Sequence, residues 1–203
     1  IQGRMYLKDF QDLAICGTFS YNDVLGAGYA WAQTILHQPV LHDQFAAFLS
    51  RSDTFVLGIA NGAQMLSYLR NMIVGAELWP SFERNISNQF EARLVMVEVG
   101  DSNSMWLEGM AGSQLPGNIS HRYGRRVINT QQLEQLVHNK QLAMRYIDHH
   151  GESTAEYPYN PDGSEAGVCA FSAQGGRVLA LMPHIERCFL AQQMAWHPHE
   201  WSH

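Results

Sequence analysis

The sequence predicts an α/β domain in which a mostly parallel central sheet is flanked by helices. Short apolar runs typical of buried strands alternate with amphipathic helical patterns along the chain. A strand, a tight turn and a helix follow one another directly over residues 54–72. No repeat, low-complexity tract or linker interrupts the 203 residues, and this length suits one core. We therefore expect a single domain over residues 1–203.

The first half of the chain supplies two strands and three helices of this pattern. The apolar run 13–16 predicts a buried strand. Small residues over 24–37 and an amphipathic pattern over 40–51 predict two helices. The run 54–59 predicts a second buried strand, and 61–72 predicts the helix that follows it. Because the first strand comes so late, either the sheet is small or the first β-α unit of the domain lies upstream, and we expect the second.

The second half of the chain changes in character. Residues 90–99 alternate between apolar and polar side chains, as in a strand of a mixed or antiparallel sheet. A polar helix is predicted over 130–140, followed by a strand over 142–148. The run 176–183 predicts a further strand, and 187–196 predicts a last helix. Functional groups of such a fold are expected at the carboxyl ends of its parallel strands.

Composition and charge exclude several classes of function. The net charge of −6, with 13 Lys and Arg against 19 Asp and Glu, argues against a nucleic-acid binder. No apolar run approaches the roughly 20 residues of a membrane span, and no signal-peptide pattern is visible, so we expect a cytoplasmic protein without a membrane partner. Three scattered cysteines (Cys16, Cys169, Cys188) form neither a disulfide framework nor a zinc site, and we expect them to be inert, buried thiols. The histidine-rich end, 197–203, lacks the spacing of a metal site, so no metal is expected.

Two features together predict the chemistry of an acyl-transfer enzyme. The first is a strand-turn-helix elbow centred on Ala60, where Gly58 and Gly62 supply the small neighbours that such a turn needs. The second is His184 with Glu186 after a strand, an arrangement in which a carboxylate can orient an imidazole base. The nucleophile that should complete this set is missing, because Ala60 has no side-chain heteroatom.

Motifs along almost the whole chain resemble those of one family in their order. They include Phe19-Ser20-Tyr21 and Met182-Pro183-His184, and the others are at 23–28, 75–80, 84–85, 89–93, 112–113, 120–121, 157–158, 160–161 and 196–198. The chain resembles the glutaminase domain of the large, single-chain phosphoribosylformylglycinamidine synthase, a class I (triad) glutamine amidotransferase. The resemblance implies a flavodoxin-like fold that begins upstream of residue 1 and continues beyond residue 203, so we expect a truncated domain.

The resemblance also implies roles for individual residues. Position 60 would carry the cysteine that attacks the side-chain amide of glutamine, with His184 as its base and Glu186 as the orienting acid. Backbone N–H groups near Thr18 and Asn61 would form the oxyanion hole. The residues expected to define the glutamine pocket are Gln64, Arg93 and His121. The domain itself would hold no cofactor, and its partner would be the ATP- and Mg²⁺-dependent synthase domain of the same polypeptide.

Departures from the family pattern cluster around the expected site. The two cysteines of the family's elbow motif are Ala60 and Ala63 here. Several other positions carry a bulkier residue than the family does: Thr18, Asn22, Tyr29, Arg122, Tyr123 and Ile185. We interpret this pattern as a glutamine pocket that has lost its nucleophile and is partly filled by larger side chains. The loss of the cysteine is either natural or the result of engineering or a sequence error.

Three functional hypotheses follow. The first is the glutaminase-type domain of a purine-biosynthesis synthase that no longer hydrolyses glutamine, with His184 and Glu186 as structural remnants or as a pair serving another nucleophile. The second is a non-catalytic interaction or regulatory pseudoenzyme built on the same scaffold. The third is a pocket that senses an amide or a nucleotide without chemistry. Glutamine is a partner only if its pocket survives.

Overall fold

The computed structural model describes residues 5–17, 27–194 and 196–201. These residues form an α/β fold around a seven-stranded sheet, and a separate two-stranded ribbon lies beside it. The strands are β1 (Asp12–Ile15), β2 (Phe55–Ile59), β3 (Phe82–Glu83), β4 (Glu91–Val99), β5 (Gln114–His121), β6 (Arg125–Arg126), β7 (Leu142–Ile147), β8 (Val168–Ala173) and β9 (Val178–Leu181). The α-helices are α1 (Ala27–His37), α2 (Pro39–Ser50), α3 (Asn61–Tyr68) and α4 (Thr130–His138).

The main sheet is mixed, with the strand order β1-β2-β9-β8-β7-β4-β5. Strands β1, β2 and β9 pair in parallel, whereas the other four pairings are antiparallel. Five of the seven strands in the main sheet nevertheless run in one direction, and β4 and β8 run in the opposite direction. The prediction of a mostly parallel sheet is therefore confirmed in that most strands run in the same direction. Most neighbouring strands, however, pair antiparallel. Four residues, the 3-10 turn Gln174–Gly176 and Arg177, join β8 to β9, and so short a connection can only return antiparallel.

The sheet curls so that one edge approaches its middle. A β-bridge links Asn118, in the edge strand β5, to His184, which follows the central strand β9. The two backbone hydrogen bonds of this bridge measure 2.8 Å and 3.2 Å. The curl brings the ends of β2, β5 and β9 to one side of the sheet, where the predicted site residues lie.

Buried strands and the helices around them form one core. Every residue of β8 is buried, and so is nearly every residue of β7, because both strands lie inside the sheet. The outer strand β1 is partly exposed. Among the described helices, none is long and apolar enough to cross a membrane.

Most predicted elements are present, but two predicted helices differ. The helix predicted over 61–72 ends at Tyr68, and a 3-10 turn, Arg70–Met72, follows it. The helix predicted over 187–196 is wrong, because the described residues there form only short 3-10 turns. Phe189 and Trp196 are 71% and 77% exposed. Without an apolar face packed on the core, a helix of this length has little to stabilise it.

The three thiols differ in exposure. Cys169 and Cys188 are buried, as predicted, and burial raises the pKa of both thiols. Cys16 is exposed, so the prediction of a buried strand thiol is wrong for this residue. It lies just beyond β1, which ends at Ile15 on the outer edge of the sheet.

Candidate active site

The elbow predicted between β2 and α3 is present and consists of a single residue. Ala60 separates Ile59 from Asn61 and has φ 51° and ψ −109°. Its N–H donates to the carbonyl of Leu181 in β9 at 2.9 Å, and its carbonyl accepts from the N–H of Gln64 at 3.0 Å. A positive φ is strained for a residue with a side chain, and strained turns of this kind present a catalytic residue at a sheet edge.

Two glycines allow the elbow to close tightly, as the sequence predicts. A Cβ atom built on Gly62 would lie 2.0 Å from the carbonyl oxygen of Ile15. One built on Gly58 would lie 2.5 Å from Cδ1 of Leu66 and 2.9 Å from the backbone of Gly62. All of these distances are too short for the Cβ atom of a side chain. The start of α3 can therefore pack against β1 and β2 only with glycine at both positions.

His184 and Glu186 form the predicted pair. Nδ1 of His184 lies 2.7 Å from Oε1 of Glu186. The imidazole is almost completely buried, whereas the carboxylate is half exposed. Partial burial raises the pKa of Glu186, but the hydrogen bond from His184, a backbone hydrogen bond and the nearby charges of His184 and Arg187 together outweigh it, so the pKa is lowered. Because a carboxylate oxygen accepts, Nδ1 of His184 donates this hydrogen bond, and Nε2 takes no part in it.

Gly17 shows that Ala60 and His184 border the same small space. A Cβ atom built on Gly17 would lie 2.7 Å from Cβ of Ala60 and 3.3 Å from Nε2 of His184. Cβ of Ala60 and Nε2 of His184 therefore both lie at the edge of the space beside Gly17. The role of position 60 as the nucleophile position stays a prediction.

One of the two residues predicted to form the oxyanion hole lies within the described residues. Asn61 is buried and is the first residue of α3. Its backbone N–H belongs to the first turn of the helix, where N–H groups point toward an incoming anion. Thr18, the other predicted contributor, lies outside the described residues, as does Asn22.

Gln64 is buried beside the elbow, but its amide group ties two segments together. Its Oε1 accepts from the N–H of Gly28 at 3.3 Å, and its Nε2 donates to the carbonyl of Tyr123 at 2.6 Å. A Cβ atom on Gly28 would lie 2.4 Å from Cβ of Gln64, so α1 and α3 touch here. Gln64 thus holds α1 and the loop after β5 against α3, and its predicted contact with glutamine stays a prediction.

Arg93 makes its contacts with Glu91 and Tyr157. Its Nη2 donates to Oε2 of Glu91 at 3.0 Å and to the hydroxyl of Tyr157. The guanidinium also lies over the Tyr157 ring, 4.5 Å from its centroid. Because Arg93 pairs with Ile119 and Glu91 pairs with His121 across β4 and β5, these side chains share one face of the sheet.

His121 is buried close to His184 and belongs to a cluster of charged side chains. Its Nε2 lies 3.6 Å from Oδ2 of Asp162, and neither ring nitrogen has a hydrogen-bond partner among the described residues. Asp162 also pairs with Arg126 at 3.1 Å and accepts from the hydroxyl of Tyr146 at 2.9 Å. Burial lowers the pKa of His121 to about 4, with Asp162 opposing the shift and Arg126 adding to it. The ring is therefore neutral at physiological pH.

A comparison with known protein families identifies the family of this chain. A family model described as a CobB/CobQ-like glutamine amidotransferase domain matches residues 1–203. The chain belongs to this family. Within the described part of the amidotransferase domain, no group of three or more His, Cys, Asp or Glu residues is arranged to hold a metal ion.

Solved structures share the fold of this amidotransferase domain at low sequence identity. In the structure of PurLQS from Thermotoga maritima, a chain 22% identical aligns over 94% of this chain and 76% of its own length, with a TM-score of 0.67. A glutamine amidotransferase from the same organism is 16% identical over 94% of this chain and 61% of its own, with a TM-score of 0.51. These likenesses support the predicted flavodoxin-like amidotransferase fold.

Two features of the amidotransferase domain were not predicted. Gly17 borders the space between Ala60 and His184, yet a glycine after a strand carries no signal of such a role. Arg126 is completely buried with Asp162, although the sequence shows only two adjacent arginines. A partner 36 residues away cannot be recognised from local sequence.

Proposed function

We propose that this chain is the glutaminase-type domain of a purine-biosynthesis synthase of the phosphoribosylformylglycinamidine type, and that it does not hydrolyse glutamine. Membership of the amidotransferase family and the motifs in family order support the first part. The likeness of its fold to a chain in the PurLQS structure also supports it. The residue at the elbow supports the second part.

The observation that carries the proposal is Ala60 in an intact elbow facing His184. A glutaminase needs a thiolate here to attack the amide carbon of glutamine, while the histidine takes the thiol proton and later gives it to the departing ammonia. We assign that role to Nε2 of His184, because Nδ1 of the same ring lies 2.7 Å from Oε1 of Glu186, which can orient the imidazole. The methyl group of Ala60 has no lone pair, so no covalent intermediate can form at this position.

The consequence for the parent enzyme is that ammonia does not come from this domain. The ATP-dependent step of the family belongs to the synthase body, which would then use free ammonia. The domain would remain as a structural cover on that body. Deleting it from the full-length synthase should therefore reduce stability or assembly, with no glutamine-dependent activity to lose.

Glutamate release from glutamine tests the proposal directly. We expect no release above the rate in buffer, because the attacking atom is absent. Release that survives Cys16→Ser and disappears with His184→Ala would overturn the proposal, since it would reveal another nucleophile served by the pair. Ala60→Cys is the matched variant. A gain of turnover would show that the missing thiol alone disarms the site, and no gain would show that the bulkier pocket residues contribute.

One observation favours the alternative of a non-catalytic interaction domain. Large apolar side chains are exposed in the segment after His184, with Phe189 at 71% and Trp196 at 77%. Large apolar side chains exposed in one segment are a feature of surfaces that meet another protein. A complete ATP-binding body upstream in the gene would favour the synthase proposal, and a body that has also lost its ATP site would favour the interaction domain.

A further inference from the structure

A second cleft lies at the end of the sheet opposite the elbow. We call it the rear cleft, and define it by Gly75, Glu77, Asn103, Gln141, Gln174 and Arg177, which line it. Its volume is about 480 Å³, within the range of small-molecule sites. Gln174 and Arg177 precede β9, and Gln141 precedes β7, whereas Ala60 follows β2. The length of β2 alone separates the two places by roughly 15 Å.

The walls of the rear cleft are held in place by hydrogen bonds between distant segments. The N–H of Gln174 donates to the carbonyl of Val74 at 3.0 Å. Side-chain amides add two further ties, from Gln141 to the carbonyl of Gly75 and from Gln174 to the carbonyl of Leu49. Nη1 of Arg177 donates to the carbonyl of Arg51 at 2.6 Å. Four segments are thus joined around the cleft, which makes it a preformed site.

These ties leave polar groups with remaining capacity. Oδ1 of Asn103 accepts from the hydroxyl of Ser172 at 2.6 Å, and its Nδ2 has no partner among the described residues. Oε1 of Glu77 accepts from the N–H of Gly75 at 3.2 Å, and its other oxygen can accept from a ligand. The rear cleft therefore offers donors and acceptors that the fold does not use.

The charges at the rear cleft define the class of ligand. Among the described residues that line it, Arg177 is the one cation and Glu77 the one anion, and the other polar groups are neutral amides and a serine hydroxyl. A polyphosphate would need several cations, whereas a neutral sugar would leave both charges unused. A zwitterion uses both, since its carboxylate suits Arg177 and its ammonium group suits Glu77. We propose that the rear cleft binds a small zwitterionic ligand of the amino-acid type.

Two-dimensional ¹H–¹⁵N NMR of the full chain tests the proposal, because it observes backbone and side-chain amides separately. The probes are L-serine and L-asparagine, with glucose and ATP as ligands of the wrong charge. We expect saturable shifts of the Gly75 and Gly175 amides and of the Asn103 side-chain NH₂ with the two amino acids. Shifts that appear only at the elbow, or only when ATP or glucose is added, would overturn the proposal. The absence of any shift up to about 10 mM amino acid would also overturn it.

A blocking variant and a matched control complete the test. Gly175 lines the rear cleft with φ +66°, and a Cβ atom there would have no neighbour within 4 Å, so Gly175→Asn adds bulk without a clash. Asparagine also tolerates a positive φ. Gly109→Asn is the control, because Gly109 has φ +77° and equally open surroundings outside the cleft. We expect about tenfold weaker binding in the first variant and unchanged binding in the second. Equal affinity in both variants would overturn the assignment of the site, and glutamate release does not enter this test.

Discussion

The buried ring of His121 makes the stability of this domain depend on pH. Its pKa is lowered from 6.5 to about 4 in the folded chain, chiefly by burial. The unfolded chain therefore binds the proton first as the pH falls. The contribution of neutral His121 is complete above about pH 6.5 and is lost progressively as the pH falls toward 4. His121→Gln, which cannot titrate, should remove this part of the pH dependence.

The size of the effect follows from the difference between the two pKa values. A difference of about 2.5 units corresponds to about 3 kcal/mol of unfolding free energy once the pH is below both values. Between about pH 7 and about pH 5 the expected loss is about 2 kcal/mol. Urea unfolding of the wild type and of His121→Gln at both pH values measures it. The wild type should lose about 2 kcal/mol more than the variant over this interval.

Comparing pH values within each protein removes the constant cost of the substitution itself. His138→Gln, at the exposed end of α4, controls for the loss of an imidazole from the surface. If the wild type and His121→Gln lose the same free energy between the two pH values, the ring is not held neutral by burial. The account of the cluster around Asp162 would then be refuted.

Three further predictions concern the elbow, the buried ion pair and the thiols. Gly62→Ala forces a Cβ atom against the carbonyl of Ile15 and should cost at least about 1–3 kcal/mol in urea unfolding, and unchanged stability would contradict the packing. Asp162→Asn leaves the buried guanidinium of Arg126 without its counter-charge and should cost about 3–5 kcal/mol, which a thermal melt would detect as a lowered Tm. A thiol reagent should modify Cys16 alone in the folded chain and all three cysteines in urea, and rapid modification of a second thiol would disprove the burial of the other two.

The elbow could be predicted from sequence because its signals are local. Gly58 and Gly62 surround one position between an apolar run and a helical pattern, and the structure places them where no side chain fits. The same holds for His184 and Glu186, which are two residues apart. Local spacing was enough for these features, because a single turn of backbone brings their residues together.

Two strands of the main sheet, β5 and β8, were not predicted because their sequences lack the pattern typical of strands. Strand β5 contains Pro116 and Gly117, which usually break a strand, yet eight consecutive residue pairs join it to β4. Strand β8 is rich in small residues and owes its conformation to β7 and β9 on either side. In both cases, pairing with distant residues decides the structure, and local propensity does not.

Ala60 keeps a left-handed backbone although its methyl group cannot act as a nucleophile. A residue with a side chain in that conformation costs on the order of 1–3 kcal/mol, which persists only where the surroundings impose it. Here they do: the N–H of Ala60 is bound to the carbonyl of Leu181, and Gly62 is pressed against Ile15. The elbow is thus a property of how β2 joins α3 and needs no catalytic residue to maintain it. It supports membership of the amidotransferase family, whereas the proposed loss of glutamine hydrolysis rests on the side chain at position 60.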